Sequence, residues 1–313
     1  MTNIQEKIMQ SPVTWVGRAI YYCFPYRRRV MQANIQQVFG DSLNDAQKKH
    51  LMMAFYSHVL RGIREILISR CMSEKTLRSQ VCVKGHEYLL DVAKAGQGIL
   101  IVTGHMGNWE LAPLGGILQF KEYQGQFHFI RRTLKIKWLE NLLFRRYYKL
   151  GLRVIPNKNA IYQVTSALEK NNAVIFVLDQ HASLKNKDGI AVEFFGKKAG
   201  TYRSLASIAA YTKVPVVPAA GYRLPNGQHV LEFHEPIVWQ EYDSLQESIY
   251  RNTLQYNQAL ERMILEHPSQ WVWLHKRWKL KPQQMVTAPS SVPHSQDFPM
   301  GSESYSTQVS LDD

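Results

Sequence analysis

The chain reads as an α/β fold: a central, mostly parallel or mixed sheet flanked by helices, with a helical segment at the N-terminus. Short apolar runs at residues 99–103, 127–130, 173–178 and 214–220 have the length and composition of buried strands. Segments with helical spacing and helical end signals separate them, as in alternating β and α units. The 313 residues, 45% of them hydrophobic and 20% charged, suffice for one large core.

Taken in order, residues 1–41 form an N-terminal segment in which Trp15, Ile20, Tyr21, Tyr22, Phe24 and Tyr26 precede Arg27, Arg28 and Arg29. Aromatic-then-basic order suits a membrane interface, and a helix docked on the core is the other reading. The main domain spans residues 42–281. Ser42 and Asp45 resemble a capping box, and Leu51, Phe55, Val59, Ile63 and Leu67 recur at every fourth position, which predicts an amphipathic helix over 43–70. Further helices are expected over 135–150, stopped by Gly151, over 159–170, and over 201–212 with Thr201 as N-cap. A strand at 230–233 and a helix over 244–266, closed by Pro268, complete the pattern. Residues 282–313 are rich in Ser, Pro, Gln and Thr without periodicity, and read as a disordered tail.

The formal net charge is +13, and residues 282–313 contribute four acidic side chains and no Lys or Arg, so residues 1–281 carry +17. Such an excess attracts nucleic acid, an anionic membrane surface, an acidic carrier protein or a phosphorylated substrate. No helix-turn-helix, RRM or zinc signature supports nucleic acid. Cys23, Cys71 and Cys82 are scattered without a C-x-x-C pair, which argues against a disulfide framework or a zinc cluster and fits a reducing cytosol. No stretch reads as a membrane-spanning helix. The run 97–120 lacks Lys and Arg but is interrupted by His105, Glu110 and several glycines.

The chemistry concentrates in Gly-Ile-Leu-Ile-Val-Thr-Gly-His-Met-Gly-Asn-Trp-Glu-Leu, residues 98–111, where a buried strand runs into a glycine-flanked His105 and then a helical pattern. In one straight helix His105 and Glu110 would stand roughly 140° apart, so they can meet only if His105 precedes the helix. Glu110 would then orient the imidazole, leaving its other nitrogen as a base, and helix N-terminal amides could receive an oxyanion. A core histidine beside a helix-end carboxylate is the plainer alternative. No Gly-x-Ser-x-Gly elbow and no H-E-x-x-H metal motif is present. Arg131 and Arg132 follow a strand and could clamp a phosphate or be solvated; Asp179 ends an apolar run and could bind substrate, anchor Arg132 or cap a turn. Residues 192–201 read as a loop that could line an acyl or phosphate pocket, with Phe194 and Phe195 as plain core the alternative, and Trp271, Trp273, Lys276, Arg277, Trp278 and Lys279 interleave aromatics with cations, as membrane-interface and nucleic-acid surfaces both do.

The segment Gly104 to Glu110 resembles the His-x4-Asp/Glu (HX4E) motif of the glycerolipid acyltransferase superfamily, in the form found in late acyltransferases of lipid A biosynthesis. Other blocks follow that family's pattern in order: Tyr-Arg-Arg-Arg-Val-Met-Gln-Ala-Asn at 26–34, Arg132 before Leu134, Arg-Val-Ile-Pro at 153–156, Asp179-Gln180, Phe-Phe-Gly at 194–196, 214–218, and Trp-Val-Trp-Leu-His-Lys-Arg-Trp-Lys at 271–279. The resemblance implies a glycerolipid acyltransferase-like fold, with His105 as base, Glu110 as its partner, and Arg132, Asp179, Asn108 and Gln180 as substrate-binding residues. It implies no metal and no resident cofactor, an acyl carrier protein or CoA thioester as donor, and a hydroxyl of a lipid A-type glycolipid precursor as acceptor. A glycerolipid or other envelope lipid is the alternative acceptor, and a basic nucleic-acid- or membrane-binding protein without catalysis is the rival class. His181 departs from the family's usual acidic residue. The expected location is the cytosolic face of a bacterial inner membrane, held peripherally through an anionic surface.

Overall fold

The computed structural model describes residues 4–120, 127–131, 137–156, 160–186, 188–281 and 284. Four helices come first: α1 (Ile4–Gln10), α2 (Trp15–Cys23), α3 (Arg28–Phe39) and α4 (Asp45–Ser69). Then follow α5 (Glu74–Ser79), β1 (Val81–Lys84), α6 (His86–Lys94), β2 (Ile99–Thr103), α7 (Leu111–Ile117) and β3 (Phe127–Arg131). The middle of the chain forms α8 (Lys137–Lys149), β4 (Leu152–Pro156), α9 (Ala160–Glu169) and β5 (Ala173–Val177). The last part forms β6 (Gly189–Phe194), β7 (Lys197–Tyr202), α10 (Ser204–Thr212), β8 (Val216–Arg223), β9 (His229–Phe233) and α11 (Leu245–Glu266).

Seven strands build one sheet in the order β1-β9-β8-β2-β5-β3-β4, and β6 and β7 form a separate hairpin. β8, β2, β5, β3 and β4 are parallel, β9 returns antiparallel to β8, and β1 lies parallel to β9. The expected mixed, mostly parallel sheet is therefore what forms. Its centre shows why the apolar runs were continuous rather than alternating. In β2, Leu100 and Val102 enter the core shared with α4, α9, α10 and α11, while Ile99 and Ile101 enter the core under α5, α6 and α7. The carboxyl ends of the parallel strands share one edge, where ligands of open α/β sheets bind.

Several boundaries differ from expectation for local reasons. The cap of α4 is Asn44, whose side chain accepts from Gln47 N while Gln47 answers on Asn44 N, so the capping box sits two residues beyond Ser42. Along α4 a step of four residues advances roughly 40° beyond a full turn, so a five-member row wraps about 160° around the helix. Leu51 and Phe55 are buried, whereas Ile63 and Leu67 are 51% and 60% exposed, and the inward face passes to His58, Gly62, Glu65 and Ser69. Thr201 caps no helix. It lies buried in β7, since residues 192–201 belong to the β6–β7 hairpin rather than to a loop.

The N-terminal helices pack into the same core as the sheet through Ile8, Tyr21, Met31, Ile35 and Phe39. Gly17 lets α2 lie directly on α4, because a Cβ there would collide with Ser57. Trp15 and Tyr22 on α2, and Phe24 and Tyr26 just after it, are exposed. The segment from Trp271 to Lys279 departs from the surface reading. Trp271, Trp273 and Arg277 are buried, and the Arg277 guanidinium donates to the carbonyls of Gln180 and Gly200 and to Thr201 Oγ1. Burial drives the Arg277 pKa down to about 10. Lys276 and Lys279 alone of its cations face out. The tail expected over 282–313 lies outside the described residues, Gln284 excepted.

Candidate active site

β2 and β5 are parallel neighbours in the register Thr103↔Val177, so the residues two beyond each strand meet at the carboxyl edge. These are His105 and Asp179. His105 Nδ1 and Asp179 Oδ1 are 2.9 Å apart, and the His105 backbone N–H donates to Asp179 Oδ2 at 2.7 Å. Trp271 Nε1 donates to the same Oδ2 at 2.9 Å. A carboxylate only accepts, so Nδ1 carries the proton and Nε2 keeps its lone pair. Gln180 Nε2 stands 3.3 Å from that Nε2, and the Trp109 ring meets the imidazole edge-on at 5.6 Å.

Electrostatics of the pair follow from depth. Asp179 is 3% exposed and His105 26%. Burial alone lowers the His105 pKa, but the hydrogen bond and charge of Asp179 outweigh it, and the net effect is a rise above 6.5. Burial pushes Asp179 up, yet its bonds to His105 and to the Trp271 indole hold it below the ordinary carboxylate value.

Glu110 does not occupy the place expected of it. His105 does precede α7, and Glu110 takes the N-cap position, but no hydrogen bond or ion pair joins the two side chains among the described residues. Burial raises the Glu110 pKa, with the positive charges of Arg131 and Arg70 pulling it down. The imidazole N–H already has Asp179 as its acceptor, and Asn108 Oδ1 accepts from Leu111 N at 3.0 Å and Glu110 N at 3.3 Å, capping the first turn of the helix. Those amides, with Ala112 N bonded to Asn108 O, are therefore not available to an oxyanion. Asn108 and Asp179, expected to contact substrate, are buried and held by protein partners, while Gln180 is exposed beside the imidazole. Arg132 lies outside the described residues. Its neighbour Arg131 ends β3 with its guanidinium 3.5 Å from the centre of the Phe144 ring.

An apolar cavity opens beside this turn, between α7 and the sheet, lined by Gly104, Met106, Trp109, Ile117, Phe120 and Phe233 among others. Among the described residues, no charged side chain lines it. The arrangement comprises an oriented base, exposed at one nitrogen, next to a space suited to hydrocarbon.

A model of the family described as bacterial lipid A biosynthesis acyltransferase matches residues 4–280. The chain belongs to that family. The lipid A biosynthesis lauroyltransferase of Escherichia coli (strain K12) is 23% identical over 263 residues, covering 82% of this chain and 80% of that protein. The phosphatidylinositol mannoside acyltransferase of Mycolicibacterium smegmatis is 22% identical, covering 79% and 78%. A solved 1-acyl-sn-glycerophosphate acyltransferase from Thermotoga maritima aligns over 76% of this chain and 94% of that one, at 19% identity and a TM-score of 0.35.

This acyltransferase therefore carries its motif histidine against an aspartate 74 positions away in sequence, a pairing that no local spacing encodes. Trp271 was also missed as a part of the site, because aromatic residues among cations signal surfaces and cores alike. A weak signal existed for Asp179 alone: an acidic residue directly after an apolar run emerges at the same edge as His105.

Proposed function

We propose that this acyltransferase moves a fatty acyl group from an acyl carrier protein or CoA thioester to a hydroxyl of a lipid A-type glycolipid precursor, with His105 as general base and Asp179 as its orienting partner. The observation that carries the reading is the His105–Asp179 pair, protonated at Nδ1 and open at Nε2, beside an apolar cavity at the carboxyl edge of the sheet. Nε2 takes the proton of the acceptor hydroxyl as its oxygen attacks the thioester carbonyl carbon. The tetrahedral intermediate collapses, the C–S bond breaks, and the imidazolium returns the proton to the departing thiolate. Asp179 stabilises that imidazolium, and no covalent acyl-enzyme is required. Gln180 beside Nε2 supplies an amide donor for the oxyanion, and the charge of Arg131, felt by Glu110, adds positive potential on this side of the sheet.

An acceptor among other envelope lipids is the second reading, favoured by the phosphatidylinositol mannoside acyltransferase among the relatives. We place the enzyme peripherally on the cytosolic face of a bacterial inner membrane. In support, no described helix is long and apolar enough to cross a membrane. Arg27, which follows the exposed Phe24 and Tyr26, also ties this end of the chain to the basic C-terminal segment, its Nη1 donating to Leu274 O at 3.2 Å. An apolar insertion and a polybasic patch together suffice for reversible attachment.

The test is mass spectrometry of envelope lipids from cells with and without the gene, paired with transfer assays on purified protein offering both donors. An acyl-sized mass difference on a lipid A precursor that His105→Ala abolishes supports the proposal. Unchanged turnover in His105→Ala would refute the mechanism.

A further inference from the structure

Beneath the His105 turn lies a buried polar cluster that the transfer chemistry does not use. Glu65 on α4 accepts from four side chains: Arg223 Nη2 and Asn108 Nδ2 (3.1 Å) on Oε2, with His229 Nε2 at 3.3 Å from the same oxygen, and Arg61 Nε on Oε1 at 3.2 Å. Arg223 is 5% exposed and His229 2%, so two of these partners are buried, while Glu65 itself is 18% exposed. Arg223 Nη1 also approaches His58 Nδ1 at 2.9 Å, which makes Nδ1 the acceptor and leaves the proton on His58 Nε2. That Nε2–H donates to the carbonyl of Gly107 at 3.0 Å.

Both residues that the cluster grips, Gly107 and Asn108, lie within three positions of His105. Gly107 has φ +57°, and a Cβ there would collide with the Gly221 carbonyl, so the turn is pressed onto β8 more closely than another residue allows. Gly107 N donates to Gln270 O, whose own side chain brackets the Arg223 backbone at 2.8 and 2.9 Å. The turn is therefore held at Gly107 and Asn108 from below, on the side away from the imidazole.

We propose that Glu65 is a positioning residue for acyl transfer. Its carboxylate fixes Asn108 directly and Gly107 through Arg223 and His58, and thereby sets where the His105 imidazole stands. A charge is required because one carboxylate oxygen must accept several donors at once, and a neutral amide leaves at least one of them opposed by its own N–H. The inference rests on His105 acting as the base.

The experiment compares the intact protein with Glu65→Gln, reading thermal melting, steady-state acyl transfer and the NMR titration of the histidine imidazoles. The expected result is a folded variant with kcat lowered about 10- to 100-fold, KM for the acyl donor within about threefold, and a displaced His105 titration. A folded variant with lower melting temperature but unchanged kcat and His105 titration would show that Glu65 serves stability alone. Should Glu65→Gln not fold, His58→Leu and His58→Gln decide. Loss in the first with partial recovery in the second, whose amide can still donate to Gly107 O, sustains the proposal, and equal activity in the two overturns it. His105→Ala is run alongside: its retention of turnover defeats the base assignment, whereas its loss with an unaffected Glu65→Gln defeats only this inference.

Discussion

Asp179→Asn is the sharpest probe of the proposed chemistry. In the native enzyme Oδ1 meets His105 Nδ1 at 2.9 Å, and Oδ2 accepts both the His105 amide and the Trp271 indole. An asparagine has one acceptor oxygen for these three donors. If its NH2 faces the imidazole, Nδ1 must become an acceptor and the proton moves to Nε2, which can no longer act as a base. If its NH2 faces the other way, it opposes two N–H groups in a site 3% exposed, at about 1–3 kcal/mol for each unmet buried donor. Either way the neutral variant no longer stabilises the imidazolium, and kcat is expected to fall about 10²- to 10⁴-fold. The pH profile carries the sign. As the proposed base His105 acts only when neutral, and Asp179 outweighs burial to raise its pKa above the ordinary imidazole value, so native activity is expected to rise with pH along a limb above that of a free imidazole. Without the carboxylate, burial remains and the limb moves to lower pH. The assay is thiol release from an acyl thioester, followed as initial rates across pH. A loss smaller than about threefold, or a limb that moves upward, would refute the pairing as a catalytic device.

Other outcomes follow from neighbouring contacts. Glu110→Gln should lower activity while leaving the acidic limb in place, since that carboxylate feels the charges of Arg131 and Arg70 and makes no hydrogen bond to the imidazole; a limb shift in a pH–rate profile would return Glu110 to the base. Gly107→Ala combines a left-handed φ of +57° with a clash on the Gly221 carbonyl, so calorimetry should show a loss of about 1–3 kcal/mol alongside depressed turnover. Ala112→Leu intrudes on the apolar cavity and should shift selectivity towards shorter acyl donors in competition assays, with unchanged selectivity placing the acyl chain elsewhere. Replacing Arg27, Arg28 and Arg29 by Gln should weaken sedimentation with anionic vesicles and flatten its salt dependence, each cation contributing on the order of 1 kcal/mol near the surface. Binding that ignored both salt and substitution would mean a deeper insertion.

Much of this protein was legible along the chain because burial imposes a period on sequence. Strands β2, β3, β5, β8 and β9 stand where the apolar runs are, within two or three residues at each end, and α11 begins after Ser244 as its end signals indicate. The short strands β1 and β4 and the β6–β7 hairpin were not read as strands, since four to six residues of mixed polarity carry no period long enough to detect. The row on α4 misled in its second half because a spacing of four is not the spacing of the helix, and the drift brought Glu65, not Leu67, under the active turn.

By itself the sequence determined the fold class, the family and the placement of His105 in a turn between a buried strand and a helix. All of these rest on local pattern or on motifs read in order. What tertiary structure alone decided is which groups meet. Asp179 reaches His105 because β5 pairs with β2 in one parallel register, and Trp271 reaches Asp179 because a segment that resembles a surface folds inward. Arg277 could be buried only where the carbonyls of Gln180 and Gly200 were waiting for it. Glu110 lost its expected partner because Asp179 already filled the imidazole's donor side. Spacing along a chain limits which neighbours are possible, but a hydrogen bond goes to the acceptor that strand register and packing bring within about 3 Å.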